Sequence, residues 1–291
     1  MKSPRVGIIV VNYNGGQDFL ACLSSLFSLE YSEKQIIIVD NASTDQSFSL
    51  AKENFSEGVF LRNETNEGFA KAANKGMRYA FARGARWCWI VNNDATVDPF
   101  ALKRLVESGE KDERNALISP TIYTENGALW FGKGVFDFWR MKTRHVVPTK
   151  KERTEEFFMS EFVTGCALLV RKEFTDRQGF FDERFFLYYE DADLSYRAKQ
   201  GGFLSLVVPK AIVWHREVSR QNPQKVYYLI LSGLLFFQKN AFWWQKPYFF
   251  LHGTMRRVKN IFLKMLFPRD LVLAQAQAAY RQYFHGIKTK L

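Results

Sequence analysis

Cysteines, long apolar runs and a leader segment are scarce or missing in this 291-residue sequence, and each absence excludes a class of protein. The three cysteines, Cys22, Cys88 and Cys166, are far apart and lack metal-ligand spacing, so we expect reduced thiols rather than a disulfide framework or a zinc site. No stretch of about 18 apolar residues is free of charged or amide side chains, so a membrane-spanning helix is not expected. The first residues show no signal-peptide hydrophobic region, which predicts a cytoplasmic protein.

The sequence also lacks the glycine patterns of the common nucleotide-binding loops. Asn14-Gly15-Gly16 does not continue as G-x-G-x-x-G, and no G-x-x-x-x-G-K-[ST] occurs. Neither a nicotinamide site nor a P-loop is therefore predicted.

The first 209 residues carry no net positive charge, although the net charge of the whole chain is +11. From Lys210 to the end there are 14 Lys and Arg but 2 Asp and Glu, which leaves about −1 for the rest. Nucleic-acid binding is therefore not predicted. The basic C-terminal third suits a surface that meets anionic lipid or another polyanion.

Apolar and aromatic residues are plentiful, at 47% and 16% of the chain, which is enough for one substantial core with or without a subdomain. Short β-branched runs alternate with segments at helical spacing, and this predicts a doubly wound α/β sheet of mostly parallel strands. The predicted strands of the first hundred residues are 6–11, 35–39, 59–62 and 87–91. A helix follows each of the first three, and Ser43 or Thr44 is the expected cap of the second helix.

A polar loop follows each of these strands, at the sheet edge where α/β proteins bind ligands. Taken singly, each loop has a structural explanation: Asn12, Asn14 and Gly15 suit a turn, and Asp40 suits a cap. Four such loops at one edge favour a binding site.

An acidic segment inside an aromatic frame, residues 185–197, allows two interpretations. Burial would raise the pKa of Glu190, Asp191 or Asp193 and produce a catalytic base. Alternatively, the three carboxylates mark a helix N-terminus, with Arg197 pairing along the helix.

The loops and the acidic segment together resemble the successive motifs of bacterial family-2 glycosyltransferases, and are most similar to the rhamnosyltransferase-type members. The motifs are Val10-Val11-Asn12-Tyr13-Asn14, Val39-Asp40-Asn41-Ala42-Ser43-Thr44-Asp45, Asn66-Glu67-Gly68-Phe69, Asn92-Asn93-Asp94 and Glu190-Asp191-Ala192-Asp193-Leu194. The resemblance covers roughly residues 5–216 and implies the GT-A nucleotide-diphospho-sugar transferase fold. We expect a catalytic domain over 1–216, divided into a nucleotide-sugar half (1–100) and an acceptor half (101–216), and a helical C-terminal region over 217–291.

The resemblance also implies roles for particular residues. The donor-binding set is Asn12, Tyr13, Asn14, Asp40, Asn41, Asn66, Gly68, Phe69, Asn92 and Asn93. Asp94 and His215 would hold Mg²⁺ or Mn²⁺, which neutralises the leaving diphosphate. The family's D-x-D motif begins here with Asn92, so Asp94 and the diphosphate would carry most of the metal binding. A lone histidine after an apolar strand is more often a structural residue, and only the resemblance favours the metal-binding role of His215.

On the acceptor side, Asp191 matches the family's base, and Glu190 is the neighbour expected to raise its pKa. Thr164, Gly165 and Asp193 form the expected acceptor-binding set, with Asp193 bonding backbone or Arg197. Thr164-Gly165 interrupts a strand predicted over 162–170, which indicates either a close approach of the backbone to a ligand or a bulge. One base and an activated sugar imply a single displacement with inversion.

Residues 102–106 suggest a helix. Two further segments each have two interpretations. Residues 131–156 have little periodicity and suit either a lid or a solvated connector. The tail combines an apolar helix over 226–237 with aromatic and basic residues up to 267. It predicts a peripheral attachment to the inner face of the cytoplasmic membrane, or else a buried subdomain or dimer helix.

The function predicted is a metal-dependent inverting glycosyltransferase of bacterial surface polysaccharide synthesis. Its preferred donor is dTDP-rhamnose, with a UDP-sugar as the other choice, and its acceptor is a glycan or a lipid-diphosphate-linked glycan. The alternatives are a sugar-1-phosphate nucleotidylyltransferase and a non-enzymatic membrane- or polyanion-binding protein. The first should carry a glycine-rich triphosphate loop after the first strand, which Asn12-Tyr13-Asn14-Gly15-Gly16 is not.

Overall fold

The computed structural model describes residues 3–216 and 223–288. Its strands are β1 Val6–Asn12, β2 Lys34–Asp40, β3 Val59–Arg62, β4 Trp87–Asn92, β5 Ala95–Val97, β6 Asn115–Thr124, β7 Leu129–Phe131, β8 Lys133–Asp137, β9 Lys142–Val146, β10 Phe158–Met159, β11 Ala167–Arg171 and β12 Leu204–His215. Its helices are α1 Gly16–Phe27, α2 Ser47–Asn54, α3 Phe69–Ala82, α4 Ala101–Gly109, α5 Lys150–Thr154, α6 Lys172–Gln178, α7 Glu190–Gln200, α8 Gln224–Asn240, α9 Lys246–Leu266 and α10 Leu271–Lys288.

A mixed sheet forms the centre of the fold, with strand order β10-β12-β6-β11-β4-β1-β2-β3 and with β5 and β7 paired to β12 and β6. The strands β1 to β4, β6 and β12 run in one direction, while β11 lies antiparallel between β4 and β6. Every residue of β1 is buried, because helices cover both faces of a strand in this position. The predicted α/β sheet of mostly parallel strands is confirmed.

The first four predicted strands end within one residue of the observed ones, and the helix predicted from Phe69 is α3. The predicted cap of α2 is wrong. The Ser43 hydroxyl bonds Asn12 and the backbone N–H of Asn14, and the Asp45 carboxylate accepts the N–H of Ser47 at the start of α2.

Two segments of the second half differ from prediction. The strand predicted over 162–170 begins only at Ala167, because the Gly165 N–H donates to a side chain instead of a neighbouring strand. Residues 131–156 are not a structureless connector. They contain the hairpin β8–β9 and the short helix α5, which a capping box of Thr149 and Glu152 begins.

The described residues form two compact units. The first contains residues 3–135, 144–184 and 190–216 and includes the large sheet. The second contains 136–143, 185–189 and 223–288, so two internal segments are grouped with the C-terminal helices. The sequence did not indicate these two segments, and the division at 216 stays a prediction.

In the second unit, α8 packs against α9 and α10. Phe236 and Phe237 of α8 are fully buried, and the Phe136 ring stacks on Phe236 with centroids 5.5 Å apart. Packing on several sides explains why α8 is apolar nearly all round. None of the helices in the described ranges combines the length and hydropathy that crossing a bilayer requires.

Candidate active site

The loops that follow β1, β2 and β4 meet at one edge of the sheet. The register pairs Asn12 with Asp40 across β1 and β2, and Val11 with Asn92 across β1 and β4. Parallel strands in this register place their carboxyl ends side by side. Residues from three of the predicted donor motifs therefore come together.

Asn12 and Asp40 are both fully buried and hold two of these loops together. The Asn12 amide Nδ2 lies 3.1 Å from Asp40 Oδ1 and 3.1 Å from Ser43 Oγ. The other carboxylate oxygen of Asp40 accepts the Ser43 N–H at 3.1 Å and lies 3.3 Å from Arg62 Nε. In this arrangement Asn12 and Asp40 shape the loops, while Tyr13, with 50% of its surface exposed, faces solvent.

Asn41 organises the loop between β3 and α3. Its Nδ2 donates to Asn66 Oδ1 at 2.7 Å and to Gly68 O at 3.2 Å, and its Oδ1 accepts the Glu67 N–H at 3.0 Å. Gly68 has φ 83°, a left-handed conformation that favours glycine. Phe69 starts α3, and its ring lies 6.1 Å from that of Phe181. The Asn66–Phe69 motif is thus fastened to the loop after β2.

A depression of about 420 Å³ opens beside these loops. It is lined by Ala42, Arg62, Asn63 and Glu64, at the carboxyl ends of β2 and β3. Lys75 Nζ of α3 donates to Asn63 Oδ1 at 2.6 Å and to Arg62 O at 3.0 Å, which ties these two lining residues to α3. The volume is in the range of pockets that hold small ligands.

Asp94 and His215 are far apart in the sequence but neighbours in the structure. Antiparallel pairing of β5 with β12 puts His215 opposite Ala95, and His215 Nε2 lies 3.1 Å from Asp94 Oδ1. Arg216 follows His215 in the chain, and its backbone N–H donates to Asp94 O at 3.0 Å. Asn93 Nδ2 donates to Asn12 Oδ1 at 3.3 Å, which links this pair to the donor loops.

The surroundings of His215 favour its charged form. Burial lowers the pKa of the imidazole, but the charge of Cys166 and the hydrogen bond and charge of Asp94 raise it above its ordinary value. His215 Nδ1 is buried and has no hydrogen-bond partner in the described structure.

Asp94 and His215 fit a divalent cation as two of its ligands, and binding of the cation would displace the proton that the imidazole otherwise holds. A carboxylate oxygen beside an imidazole nitrogen suits Mn²⁺, and Mg²⁺ is commonly held by one or two carboxylates together with substrate phosphates. No group of three or more His, Cys, Asp or Glu in the described residues is arranged to hold a metal by itself. A cation here would need further oxygen ligands to complete its coordination.

The acidic segment forms the first turn of α7, where a helix dipole favours negative charge. Asp191 Oδ2 accepts the Gly165 N–H at 2.7 Å, and Oδ1 accepts the Ala192 N–H at 2.7 Å. Burial raises the pKa of Asp191, whereas these two N–H groups and the charge of His145 act in the opposite direction; the net shift is upward. Asp191 thus has the environment of a positioned base.

Glu190 differs from its neighbour. It is buried, and its Oε2 has no hydrogen-bond partner in the described structure. Burial, followed by the charge of Asp191, raises the pKa of Glu190 well above its ordinary value. Because only Asp191 receives N–H donors from Gly165 and Ala192, we expect Asp191 to lose its proton before Glu190.

Asp193 is a positioning residue in the structure. Its side chain is fully buried, and Arg197 Nε lies 2.9 Å from Asp193 Oδ2. Arg197 also donates to backbone oxygens of Gln178 and Phe180. Asp193 therefore fixes α7 to the loop after α6, as expected for an Arg197 partner, and no solvent-facing surface remains for an acceptor.

The dipeptide Gly165-Cys166 joins the two halves of the site. The Gly165 N–H binds Asp191, and the Cys166 carbonyl accepts the Asn92 N–H at 2.8 Å. A Cβ built on Gly165 would lie 3.5 Å from Asp191 Cβ and 3.7 Å from Glu190 Oε1, so glycine leaves room in front of both carboxylates. The Thr164 hydroxyl accepts the Cys166 N–H at 3.3 Å, which shapes this turn.

Sequence reasoning missed two residues beside the site, Trp130 and His145. The Trp130 ring meets the His215 ring edge-on with centroids 4.5 Å apart, and meets the His145 ring at 5.0 Å. His145 Nδ1 lies 3.1 Å from Trp130 O. His145 falls in the segment interpreted as a lid or connector, and only the pairing of β8 with β9 places it.

Comparisons with known proteins agree with this geometry. The family described as "Glycosyl transferase family 2" matches residues 7–179. An N-acetylglucosaminyl-diphospho-decaprenol L-rhamnosyltransferase of Mycobacterium tuberculosis is 26% identical over 274 residues, which are 86% of this chain and 88% of the relative. The dTDP-rhamnosyl transferase RfbF of Shigella flexneri is 22% identical over 245 residues, which are 80% of this chain and 79% of the relative.

Solved structures show the same fold. GalNAc-T7 with UDP, GalNAc and Mn²⁺ superposes with a TM-score of 0.63 at 20% identity, covering 74% of this chain and 44% of that chain. This chain thus spans less than half of GalNAc-T7. The mannosyltransferase PcManGT from Pyrobaculum calidifontis, in complex with GDP-Man and Mn²⁺, gives 0.61 at 16% identity, covering 96% of this chain and 74% of that chain.

Proposed function

The chain belongs to glycosyl transferase family 2, and from that membership we propose that it is an inverting transferase acting on a nucleotide diphosphate sugar. The observation that carries the proposal is the Gly165-Cys166 dipeptide. It binds the Asp191 carboxylate on one side and the Asn92–Asp94 motif on the other. The candidate base and the candidate diphosphate-side motif are therefore connected through two adjacent residues.

In the proposed reaction, Asp191 removes the proton from an acceptor hydroxyl. The hydroxyl oxygen bonds the anomeric carbon as the bond from that carbon to the diphosphate oxygen breaks, so the configuration inverts. The nucleoside diphosphate leaves with the bonding electron pair and needs no proton from an acid. Glu190 stays neutral beside Asp191, and Gly165 holds the base in place.

Mg²⁺ or Mn²⁺, held by Asp94 and His215, would neutralise charge on the leaving diphosphate. The loops after β1, β2 and β3 would hold the nucleoside at the depression lined by Ala42 and Asn63. Asn12, Asp40 and Asn41 then act by shaping these loops, while Tyr13 supplies exposed contact surface.

dTDP-rhamnose is the preferred donor, with a UDP-sugar as the other choice. The names of two relatives support this preference, since both are rhamnosyltransferases and one is named for dTDP. The acceptor is a glycan or a lipid-diphosphate-linked glycan of a bacterial surface polysaccharide, in keeping with the diphospho-decaprenol named for the Mycobacterium relative. Such an acceptor would bring the enzyme to the inner face of the cytoplasmic membrane. The family match disfavours a nucleotidylyltransferase or a non-enzymatic protein.

The test is a donor screen that measures nucleoside diphosphate release with added Mg²⁺ or Mn²⁺ and with EDTA. Asp191→Asn should lower the rate of transfer by about 10²–10⁴, the usual contribution of a positioned base. Glu190→Gln should stay within about tenfold of wild type, because glutamine resembles a neutral acid. NMR of the product should show an inverted anomeric configuration.

Asp182→Asn is the matched control, since Asp182 belongs to the same stretch of chain but pairs with the exposed side chain of Arg184. Full transfer by Asp191→Asn would exclude Asp191 as the base. Full turnover in EDTA would exclude a metal at Asp94 and His215.

A further inference from the structure

The outward face of α9 carries an unbroken apolar stripe. Its members are Leu251, Met255, Val258, Phe262 and Met265, which are between 59% and 76% exposed. At 100° per residue they fall within a sector of about 80° along the helix. Large apolar side chains in such a contiguous exposed row mark an interaction surface.

Packing within the second unit does not account for this stripe. Phe249, Gly253 and Asn260 on the opposite side of α9 are the buried ones, and α9 contacts α8 and α10. A helix that only packed against its neighbours would carry polar residues on its outer face. The stripe is therefore a second apolar face of α9, separate from the face that packs inside the unit.

Exposed aromatic residues directly precede the N-terminal end of α9. Phe242 and Trp244 are at least half exposed, and Trp243 is 81% exposed on the 3-10 turn Trp243–Gln245. Tryptophan has an apolar body and a polar N–H, and it is enriched at the level of lipid headgroups.

The net charge of the segment that carries the stripe selects the partner. The sequence from Lys246 to Arg269 contains no Asp or Glu, and its cations are Lys246, Arg256, Arg257, Lys259, Lys264 and Arg269. A second copy of this chain would bring the same positive charge to the contact. An anionic lipid surface would supply the opposite charge together with an apolar layer for the stripe.

We propose that the α9 stripe and Phe242–Trp244 form a docking surface for an anionic bilayer, with α9 lying in the plane of the headgroups. The proposal rests on the proposed function, because a lipid-linked acceptor resides in such a bilayer, and it names the surface. The predicted membrane-contacting region of 226–267 is thereby limited to the part from Phe242 onward. Leu234, Phe236 and Phe237 of α8 are buried and belong to the interior of the second unit.

The experiment is flotation of the full-length protein with vesicles of phosphatidylcholine alone or with phosphatidylglycerol added. Val258→Ser/Met265→Ser removes two side chains of the stripe. Val147→Ser/Met159→Ser removes the same two residue types from exposed positions elsewhere, 67% and 62% exposed. Circular dichroism confirms that both variants fold.

Wild type and the control should float with the anionic vesicles, and Val258→Ser/Met265→Ser should partition at least about tenfold more weakly. Wild-type flotation should also fall at high salt and with neutral vesicles. Equal binding of all three proteins would overturn the proposal. So would a wild-type dimer in light scattering that the stripe variant loses, with no vesicle binding, because the occupant would then be a second copy.

Transfer to a water-soluble acceptor separates this proposal from the proposed function. Val258→Ser/Met265→Ser should retain full transfer to that acceptor while its binding to anionic vesicles is weakened. If the protein bound vesicles but transferred sugar from no donor, the result would support the docking surface and contradict the proposed function.

Discussion

Two adjacent carboxylates at the start of α7, Glu190 and Asp191, have different surroundings. Asp191 accepts two backbone N–H groups, whereas one oxygen of Glu190 is buried without a partner in the described structure. Hydrogen bonds favour a charged carboxylate and burial favours a neutral one. That Glu190 raises the pKa of Asp191 stays a prediction. In the structure burial raises the pKa of Asp191, and burial followed by the charge of Asp191 raises the pKa of Glu190.

This difference predicts a pH dependence of stability. Because folding raises the pKa of Glu190, its stabilising contribution is full below the ordinary carboxyl pKa and is lost as pH rises through the raised value. Each tenfold change in proton affinity corresponds to about 1.4 kcal/mol of unfolding free energy. Glu190→Gln should therefore gain stability relative to wild type as pH rises, measured by urea unfolding from pH 4 to pH 9.

Glu183→Gln is a control of opposite sign. Its hydrogen bonds from Asn74 and Arg78 lower the pKa of Glu183, so its contribution is lost as pH falls. A difference between Glu190→Gln and wild type that does not change with pH would contradict the assignment of Glu190 as the neutral acid.

Among the elements, the segment of residues 185–189 is held by the helices of the second unit. The Phe186 ring stacks on Tyr228 with centroids 5.0 Å apart, and the Ser232 hydroxyl donates to Leu187 O at 2.8 Å. Tyr188 and Tyr189 both have φ 67°, a left-handed conformation that costs a non-glycine residue energy. The next residue in the chain is Glu190, the first residue of α7.

Gly233 provides a test of that packing. A Cβ at this position of α8 would lie 3.2 Å from the Tyr189 ring, whereas a Cβ at Gly253 of α9 would lie 3.5 Å from its nearest neighbour. We expect Gly233→Ala to lower the melting temperature and to reduce transfer about tenfold or more, through displacement of Tyr189.

Gly253→Ala is the matched control. It should keep full activity and gain up to about 1 kcal/mol, because alanine is the better helix former. Calorimetry and kcat measurements on both variants would decide. Equal activity of the two would show that the position of Tyr189 does not matter for catalysis.

At the scale of the whole molecule, the chain crosses between the two units several times. Residues 136–143 and 185–189 belong to the helical unit although the sequence around them belongs to the sheet unit. The C-terminal helices are therefore not an appendage attached at one point.

Deleting residues 217–291 should consequently fail to give an active catalytic domain. The two inserted segments would lose their packing partners, including the contact of Phe136 with Phe236, and would expose aromatic side chains. We expect aggregation on size exclusion and loss of transfer. A soluble, monomeric 1–216 fragment with wild-type turnover would contradict this prediction.

The sequence by itself determined the local elements and the family. Strands β1, β2 and β4 are short, mostly apolar runs that the structure buries, and the polar residues after them follow directly in the chain. The Asn-rich and acidic motifs carried the resemblance that the family match confirms. Such features depend on neighbours in sequence, so periodicity and residue type are enough to find them.

Only the tertiary structure decided which distant residues meet. The pairing of β5 with β12 joins Asp94 to His215, the Gly165 N–H selects Asp191, and the β8–β9 hairpin brings His145 to Trp130. No local sequence pattern indicates that residues 185–189 group with α8. Strand register and side-chain packing fix these contacts, and they act between residues that no sequence period connects.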